Sequence, residues 1–560
     1  MLDHEQIFHF SKATLLAGVA TLLLVFHQIR HTFHETREAF VAFQRQKNRN
    51  KPPKKGKKAK KSASDDNEDD GIFVVAFFHP RCSDGGGGER VLWKSIQALG
   101  EMKEGKFIKR RTKMKKENSS SDLSGVKGKV SDAILTNCRN LSVVVYTIDE
   151  PHPNYDKEVM EKVRERFSIV MPSSLSVHFV HLHEVKDLLN KPKRLTMVAE
   201  TWGTMKLAWY ALSVVTPHVY IDTTGCAFTF VVAKILAGCK VATYVHYPTI
   251  STDMLSLVWQ RRPSYNNNSQ ITTNPFITYA KLFYYAAFAI CYGFVGSLAD
   301  LTMVNSSWTK GHIQYLWKFA GEIHVVFPPV NTKSLKDLST TGRENIIISI
   351  GQFRPEKDHT LQLQSFAKLL EMHDGAMKKA GVKLYLIGSC RGEDDQERVD
   401  QLQKLARELG VQGHVSFVLN QPHSVLKDYF RRASVGIHTM WNEHFGIGVV
   451  EMMSAGLVTV AHKSGGPKSD IILRPWDFEK LSTLGSDKPT GCLASTAEEY
   501  ARAQFEVLKK DPLSDEILQI REDGRISAGR FSDEVFMDSF KETVLPLFRN
   551  RPRLIFFWQE

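Results

Sequence analysis

Two carboxylates stand eight positions apart in "NEHFGIGVVEMMSAG", residues 442–456, and flank a turn that contains Gly446 and Gly448. The preceding "ASVGIHTMWN" has the apolar continuity of a buried strand, which puts Glu443 in the loop after it. The following "GVVEMMSA" is helical in pattern and puts Glu451 in a helix's first turns. A helix amino terminus has N–H groups without intrahelical acceptors, so Phe445, Gly446, Ile447 and Gly448 offer backbone donors to an anion. Glycine permits a close approach. Carboxylates flanking an anion repel it unless they are aimed at something else, and hydroxyl groups are the natural partners of an acceptor-only side chain. A diphosphate with a polyol on either side, a nucleotide sugar, meets every one of these demands. Two solvated charges favoured by a helix dipole would account for either glutamate alone, but poorly for the pair around one turn.

Other candidates lie at the ends of other apolar runs. In "ENIIISIGQFRPEKDH" (344–359) a strand is followed by Arg354 and Lys357, two cations placed to neutralise phosphates. "GIFVVAFFHP" (71–80) runs into "RCSDGGGGERVLWKSIQAL", where Gly86, Gly87 and Gly88 open onto an amphipathic helix and could cradle phosphate. Four glycines alone are equally a flexible turn; their position directly after a strand is what favours the ligand. "PHVYIDTTG", "CKVATYVHYP" and "LTMVNSSWT" bring Asp222, His246, Ser306 and Ser307 to strand ends facing one crevice. His246 is a candidate contact for a sugar or an acceptor, against the plainer role of a satisfied structural histidine.

These residues need a scaffold of parallel strands buried on both faces. The strand-turn-helix alternation supplies it twice, before and after the punctuation "FPPVN" (327–331). The expected fold is α/β: two Rossmann-like doubly wound domains, residues 71–330 and 331–525, facing a cleft, with residues 526–560 ending in a helix that packs back across the halves. Residues 7–27, with "ATLLAGVATLLLVF" inside, read as a transmembrane anchor, against a cleaved signal or a buried helix; Arg30, Arg37, Arg45, Lys47 and Arg49 follow it, which on the anchor reading places the rest of the chain in the cytosol. Residues 28–70 read as a charged linker and 101–130 as a disordered insertion. "LFYYAAFAICYGFVGSLA" (282–299) is apolar all round, which fits a fully buried helix or, alternatively, a face docked into a bilayer.

Charge distribution narrows the partners. The net charge is +13, but residues 28–61 hold 12 Lys/Arg against 2 Asp/Glu and residues 101–130 hold 10 against 4, which leaves −3 for the remainder. The basicity sits outside the folded halves, without interleaved aromatics, so no nucleic acid is expected. Seven scattered cysteines with no CxxC pair indicate reduced thiols and no zinc site. The clustered aspartates of "SDDNEDD" lie far from any strand end, and no metal or other cofactor is expected.

The E-x7-E element, the "SGGP" turn and the paired halves resemble retaining glycosyltransferases of the GT-B fold, family 4, over about residues 71–555. "FFHPRCSDGGGGERVLW", "YVHYPTISTDML", "VNSSWT" and "QFRPEKDHTLQL" are similar to the dolichol-pathway α-1,2-mannosyltransferase family within it. The resemblance implies a GDP-mannose donor and a dolichol-diphosphate-linked trimannosyl-chitobiose acceptor, extended by the fourth and fifth mannoses at the cytosolic face of the endoplasmic reticulum. It leaves room for a complex with other early dolichol-pathway mannosyltransferases. With that donor, the residues read above are expected to act as catalytic (Glu443, His246 and Lys357) and as substrate-binding (Gly86, Gly87, Gly88, Arg354, Phe445, Gly446, Ile447 and Glu451). One position departs from the family: the arginine commonly found directly after the glycine is here Gln352, and Arg354 stands in from two residues on. Rival readings are another nucleotide sugar or acceptor, or a tethered nucleotide-binding scaffold, which would release no GDP.

Overall fold

The computed structural model describes residues 4–49, 71–106, 132–190, 196–254, 275–476 and 488–549. Two parallel sheets organise them. The first has seven strands in the order β3-β2-β1-β4-β5-β6-β7: β1 (Phe73–Phe78), β2 (Leu141–Thr147), β3 (Val177–His181), β4 (Val219–Asp222), β5 (Lys240–Val245), β6 (Leu301–Val304) and β7 (Ile323–Val325). The second has six in the order β10-β9-β8-β11-β12-β13: β8 (Glu344–Ile350), β9 (Lys383–Gly388), β10 (Val415–Leu419), β11 (Ala433–His438), β12 (Val458–His462) and β13 (Cys492–Ala494). Every strand pair is parallel, so the carboxyl ends of each sheet share one edge. The order reverses beside β1 in the first sheet and beside β8 in the second, which opens a crevice above each of those strands.

Continuous apolar runs make these strands because both faces are covered. In β1, Phe73, Val75 and Phe77 enter one core, and Val74, Ala76 and Phe78 enter the other. The first core is closed by α2 (Gly87–Lys103) and by the chain's last helices; the second by α1 (His4–Arg49), α3 (Thr196–Val214) and α4 (Pro275–Gly296). Asp533, at the start of the helix Asp533–Val544, accepts a bidentate bond from Arg90 at 2.7 and 2.9 Å, and Lys541 pairs with Glu101 at 2.7 Å. The carboxyl-terminal helix therefore lies on the first half.

The amino-terminal region differs from its sequence reading. Residues 28–49, expected as linker, continue α1 as helix. Ile29, Phe33, Phe40 and Val41 recur at helical spacing and pack into the core of the first half, and Arg37 donates to the carbonyls of Thr216 and Pro217. A charge count hides that stripe. Among the described residues no helix is long and apolar enough to cross a membrane. The uncharged run from Ala13 to Phe26 is shorter than the roughly 20 residues that a bilayer core requires. The rest of the expected linker, residues 50–70, and residues 107–131 of the expected insertion lie outside the described residues; residues 101–103 close α2.

Candidate active site

The carboxyl ends of β8 and β11 deliver the central pair. Lys357 leaves the 3₁₀ turn Pro355–Lys357 after β8, and its Nζ lies 2.5 Å from Oε2 of Glu443 in the loop after β11. Thr439 donates to the carbonyl of Lys357 or Asp358 and receives a bond from Gln362 at 2.8 Å, which fixes the lysine loop against the β11 end. His438 brings Nε2 to 3.1 Å of the same carboxylate oxygen, while Oε1 accepts the N–H of His444 at 3.1 Å. Burial alone would raise the Glu443 carboxyl, but Lys357 and then His438 hold it well below the usual range. Glu443 is a buried, ionised acceptor at neutral pH.

The loop that carries Glu443 is pinned by the "SGGP" turn. Gly466 donates to the Glu443 carbonyl at 2.7 Å, and Ser464 accepts the N–H of Asn442 at 2.8 Å. A Cβ on Gly466 would stand 2.5 Å from the Phe445 oxygen, so backbone fills the space a side chain would need. Gly446, at φ +111°, caps the helix Ile447–Ser454. The Phe445 ring is buried, 5.9 Å from Phe327 and 5.2 Å from Phe531, so its side chain packs the joint between the halves, and only its backbone is left for a ligand.

Glu451 lies in that helix, and its carboxyl has no hydrogen bond or ion pair among the described residues. Burial pushes its carboxyl up to about 7, opposed by the guanidinium of Arg90 across the cleft. Arg354 is exposed at the mouth and, among the described residues, makes no side-chain bond. Lys357 and Glu443 thus meet, whereas Arg354 and Glu451 stand apart from them and from each other.

The first half faces this helix with its glycine turn. A Cβ on Gly87 would lie 2.9 Å from Cδ1 of Ile447, so the amino termini of α2 and of Ile447–Ser454 oppose each other across the cleft. Gly86 is not an open donor: its N–H is held by the Glu89 carboxylate, whose other oxygen lies 3.3 Å from Nε2 of His79. Gly87 and Gly88 remain in the first turn. His246 sits beside Gly88, with Nε2 buried and without a hydrogen-bond partner among the described residues. Burial, then the neighbouring His79, pushes its imidazole down to about 4, so it is neutral at physiological pH. Asp222 has another job: it is fully buried and accepts from Thr224 and Thr243. Ser306 caps the helix Ser307–Leu316, and the Ser307 N–H donates to Asp470 of the second half at 2.9 Å.

Sequence reasoning did not single out His79, Glu89 or His438. His79 and His438 stand at strand carboxyl ends, the same signal that flagged His246, and Glu89 lies three residues after Gly86, the spacing of a capping box. It also missed the stack of His444 on Tyr247, centroids 4.1 Å apart, beside Trp308, and the bond from Asn442 to Asp253 at 2.7 Å. Both join the halves. Among the described residues no three His, Cys, Asp or Glu side chains gather in a metal-binding group.

The chain matches the model of the ALG11 mannosyltransferase N-terminus over residues 72–123 and 126–317, and that of glycosyl transferases group 1 over residues 330–473. A Homo sapiens protein named GDP-Man:Man(3)GlcNAc(2)-PP-Dol alpha-1,2-mannosyltransferase is 41% identical over 483 residues, 85% of this chain and 87% of the relative. The chain belongs to the ALG11 mannosyltransferase family. A Dictyostelium discoideum member of the same name is 37% identical over 481 residues, 84% of each chain. Among solved structures, sucrose-phosphate synthase from Thermosynechococcus elongatus superposes with a TM-score of 0.54 at 14% identity, over 85% of this chain and 99% of that one. The ALG11 family member thus shares the two-domain GT-B arrangement, and the glutamates, the lysine and the glycine turn all lie at its cleft.

Proposed function

We propose that the protein transfers mannose from GDP-mannose, in α-1,2 linkage and with retention, to dolichol-diphosphate-linked Man3GlcNAc2, adding the fourth and fifth mannoses. The observation that carries the reading is the Lys357–Glu443 pair set opposite the glycine turn, in a chain whose relatives bear the name of that activity. Lys357 and Arg354 neutralise the donor diphosphate; Gly87, Gly88 and the amino terminus of Ile447–Ser454, with the backbone of Phe445 and Gly446, donate to its oxygens as charge builds on the leaving GDP. Gly86 orders the turn through Glu89. Glu443 holds the mannose hydroxyls, Glu451 the ribose hydroxyls, and neutral His246 the donor sugar or the acceptor. With two cations and two helix termini for the diphosphate, the reaction needs no metal, and a chelator leaves its rate unchanged.

The same reading attaches the chain to the endoplasmic reticulum membrane through α1 with both halves in the cytosol, in keeping with the arginines after Phe26. Glycans on Asn118 or Asn140 of the native protein would overturn that topology. Incubation of the purified protein with a panel of nucleotide sugars and a lipid-linked Man3GlcNAc2 tests the activity. The expected product carries two further mannoses and appears with GDP-mannose; absence of GDP release, or turnover of another donor in its place, would refute the assignment.

A further inference from the structure

We propose that His438 is a positioning residue for the transfer: through its Nε2–H it holds the Glu443 carboxylate toward the sugar while Lys357 turns from that carboxylate to the donor diphosphate. The inference rests on the function proposed above and deepens it at the same site.

The roles of Lys357 and Glu443 compete in the free protein. Lys357 Nζ lies 2.5 Å from Oε2 of Glu443 and 3.3 Å from Sδ of Met440, so the cation rests on the carboxylate that is to accept sugar hydroxyls. A thioether is only a weak acceptor. A diphosphate carries more charge than one carboxylate and attracts the lysine more strongly. As the lysine turns, Oε2 loses its ionic partner in a site where Glu443 is only 9% exposed. A buried carboxylate oxygen left without a donor is costly, and the group reorients toward whatever donor remains. Oε1 gives little restraint, since its bond is to the N–H of the next residue, His444.

His438 is placed to be the remaining donor. It ends β11, in register with Ala461 of β12, and its carbonyl accepts the Tyr500 hydroxyl at 2.7 Å, so sheet and helix together fix its backbone. The ring is 6% exposed, with Nε2 3.1 Å from Oε2 of Glu443. Nδ1 is buried and has no hydrogen-bond partner among the described residues. An uncharged ring carries one proton. On Nδ1 it would be a buried N–H without an acceptor, so it belongs on Nε2, where Glu443 accepts it. His79 makes a similar contact with Glu89 at 3.3 Å, but Thr223 lies 2.8 Å from its Nδ1 and leaves either tautomer open. Against burial, Lys357 and then His438 hold the Glu443 carboxyl low, so both donors favour its ionised form. The lysine has a flexible stem that can follow the phosphates, whereas the imidazole is locked at a strand end.

Glutamine and asparagine carry the same amide, but only glutamine reaches as far as imidazole Nε2. In the full chain, with GDP-mannose and lipid-linked Man3GlcNAc2, His438→Asn and His438→Phe should lower kcat about tenfold or more, and His438→Gln should stay within about threefold of the unaltered protein. Affinity for GDP, measured by calorimetry, should change less than about twofold in all three. On top of Glu443→Gln, His438→Phe should cost less than about threefold more, because the carboxylate it serves is already gone. Equal losses in the three variants, additive losses in the double variant, or a raised donor KM at unchanged kcat overturns the proposal. Should His438→Phe fail to fold, the Gln and Asn variants decide it. Nitrogen NMR of the protein with isotope-labelled histidine, its His438 signals identified through His438→Gln, reads the tautomer without turnover. A proton on Nδ1 overturns the proposal whether or not the protein is active. Absence of GDP release by the unaltered protein would instead refute the proposed activity.

Discussion

Lys357 Nζ and Glu443 Oε2 lie 2.5 Å apart, joining the loop after β8 to the loop after β11 at the point where the second sheet reverses its strand order. The two strands are neighbours, so the pair is positioned by sheet register and not by loop chance. On the function proposed above, the pair sets a cation for the diphosphate beside an acceptor for the sugar. Replacing Glu443 with glutamine keeps the shape but removes the charge. Glu443→Gln is expected to lower kcat about ten- to a hundredfold, the loss of one charge-assisted hydrogen bond, with GDP affinity nearly unchanged. Steady-state rates beside GDP calorimetry check it. A raised donor KM at unchanged kcat would assign Glu443 to ground-state binding instead.

The Gly466 turn supports that geometry from behind. Its φ of −59° suits any residue, so a substitution there acts through contact alone. A Cβ would stand 2.5 Å from the Phe445 oxygen, 2.6 Å from its Cα and 2.8 Å from the His444 oxygen, all backbone atoms. Gly466→Ala should displace the Glu443 loop and reduce kcat as much as Glu443→Gln does, at an overpacking cost of about 1–3 kcal/mol in stability. Gly311→Ala is the control: it lies in a helix with nothing near its Cβ, and should leave rate unchanged and stability the same or higher. Circular dichroism melts and initial rates of both variants decide the matter.

How much of this was legible in the sequence follows burial. Strands central to each sheet, such as β1 and β11, read directly because both faces are covered and their residues are uniformly apolar. The strands not anticipated, β3, β7 and β13, are all edge strands, short and only partly covered, so they lack a continuous apolar run. Glu443 and Lys357 were legible as residues, but their contact depends on the pairing of β8 with β11, and no spacing along the chain encodes that. His438 adds to the same carboxylate from a strand end that reads as plain core. Residues 28–49 misled because Phe33 and Val41 are diluted among charges and become a stripe only once wound into a helix.

His444 gives the halves a pH-sensitive contact. It stacks on Tyr247 at 4.1 Å, and its imidazole is pushed down to about 4, by burial first, with Glu443 opposing and Lys357 adding to the effect. The unfolded chain takes up its proton near pH 6.5, before the folded state does. Stability from this group is therefore complete above about pH 6.5 and is lost as pH falls toward 4. His246, also at about 4, adds in the same direction. The melting temperature is expected to fall between pH 7 and pH 4, and His444→Phe, which keeps the stack without the titration, to flatten that fall. An unchanged slope in the variant would remove His444 from the account.

Glu451 carries the opposite sign. Its carboxyl rises to about 7 because burial outweighs the attraction of Arg90, so in the free protein it is largely protonated at mildly acidic pH. A raised folded-state value means the folded chain binds the extra proton between the unfolded value and pH 7; the contribution of this group to stability is full at low pH and declines as pH rises through that window. Glu451→Gln removes the decline and should melt higher than the unaltered protein at pH 8 but not at pH 5. Donor binding runs the other way. A carboxylate accepts ribose hydroxyls better than a neutral acid, so donor KM should fall as pH rises through 7, and Glu451→Gln should raise KM about ten- to a hundredfold at pH 8 with kcat little changed. The two readouts separate the roles: higher melting with wild-type GDP affinity would leave Glu451 as a buried acid without a ligand, and the ribose contact would have to be sought elsewhere along Ile447–Ser454.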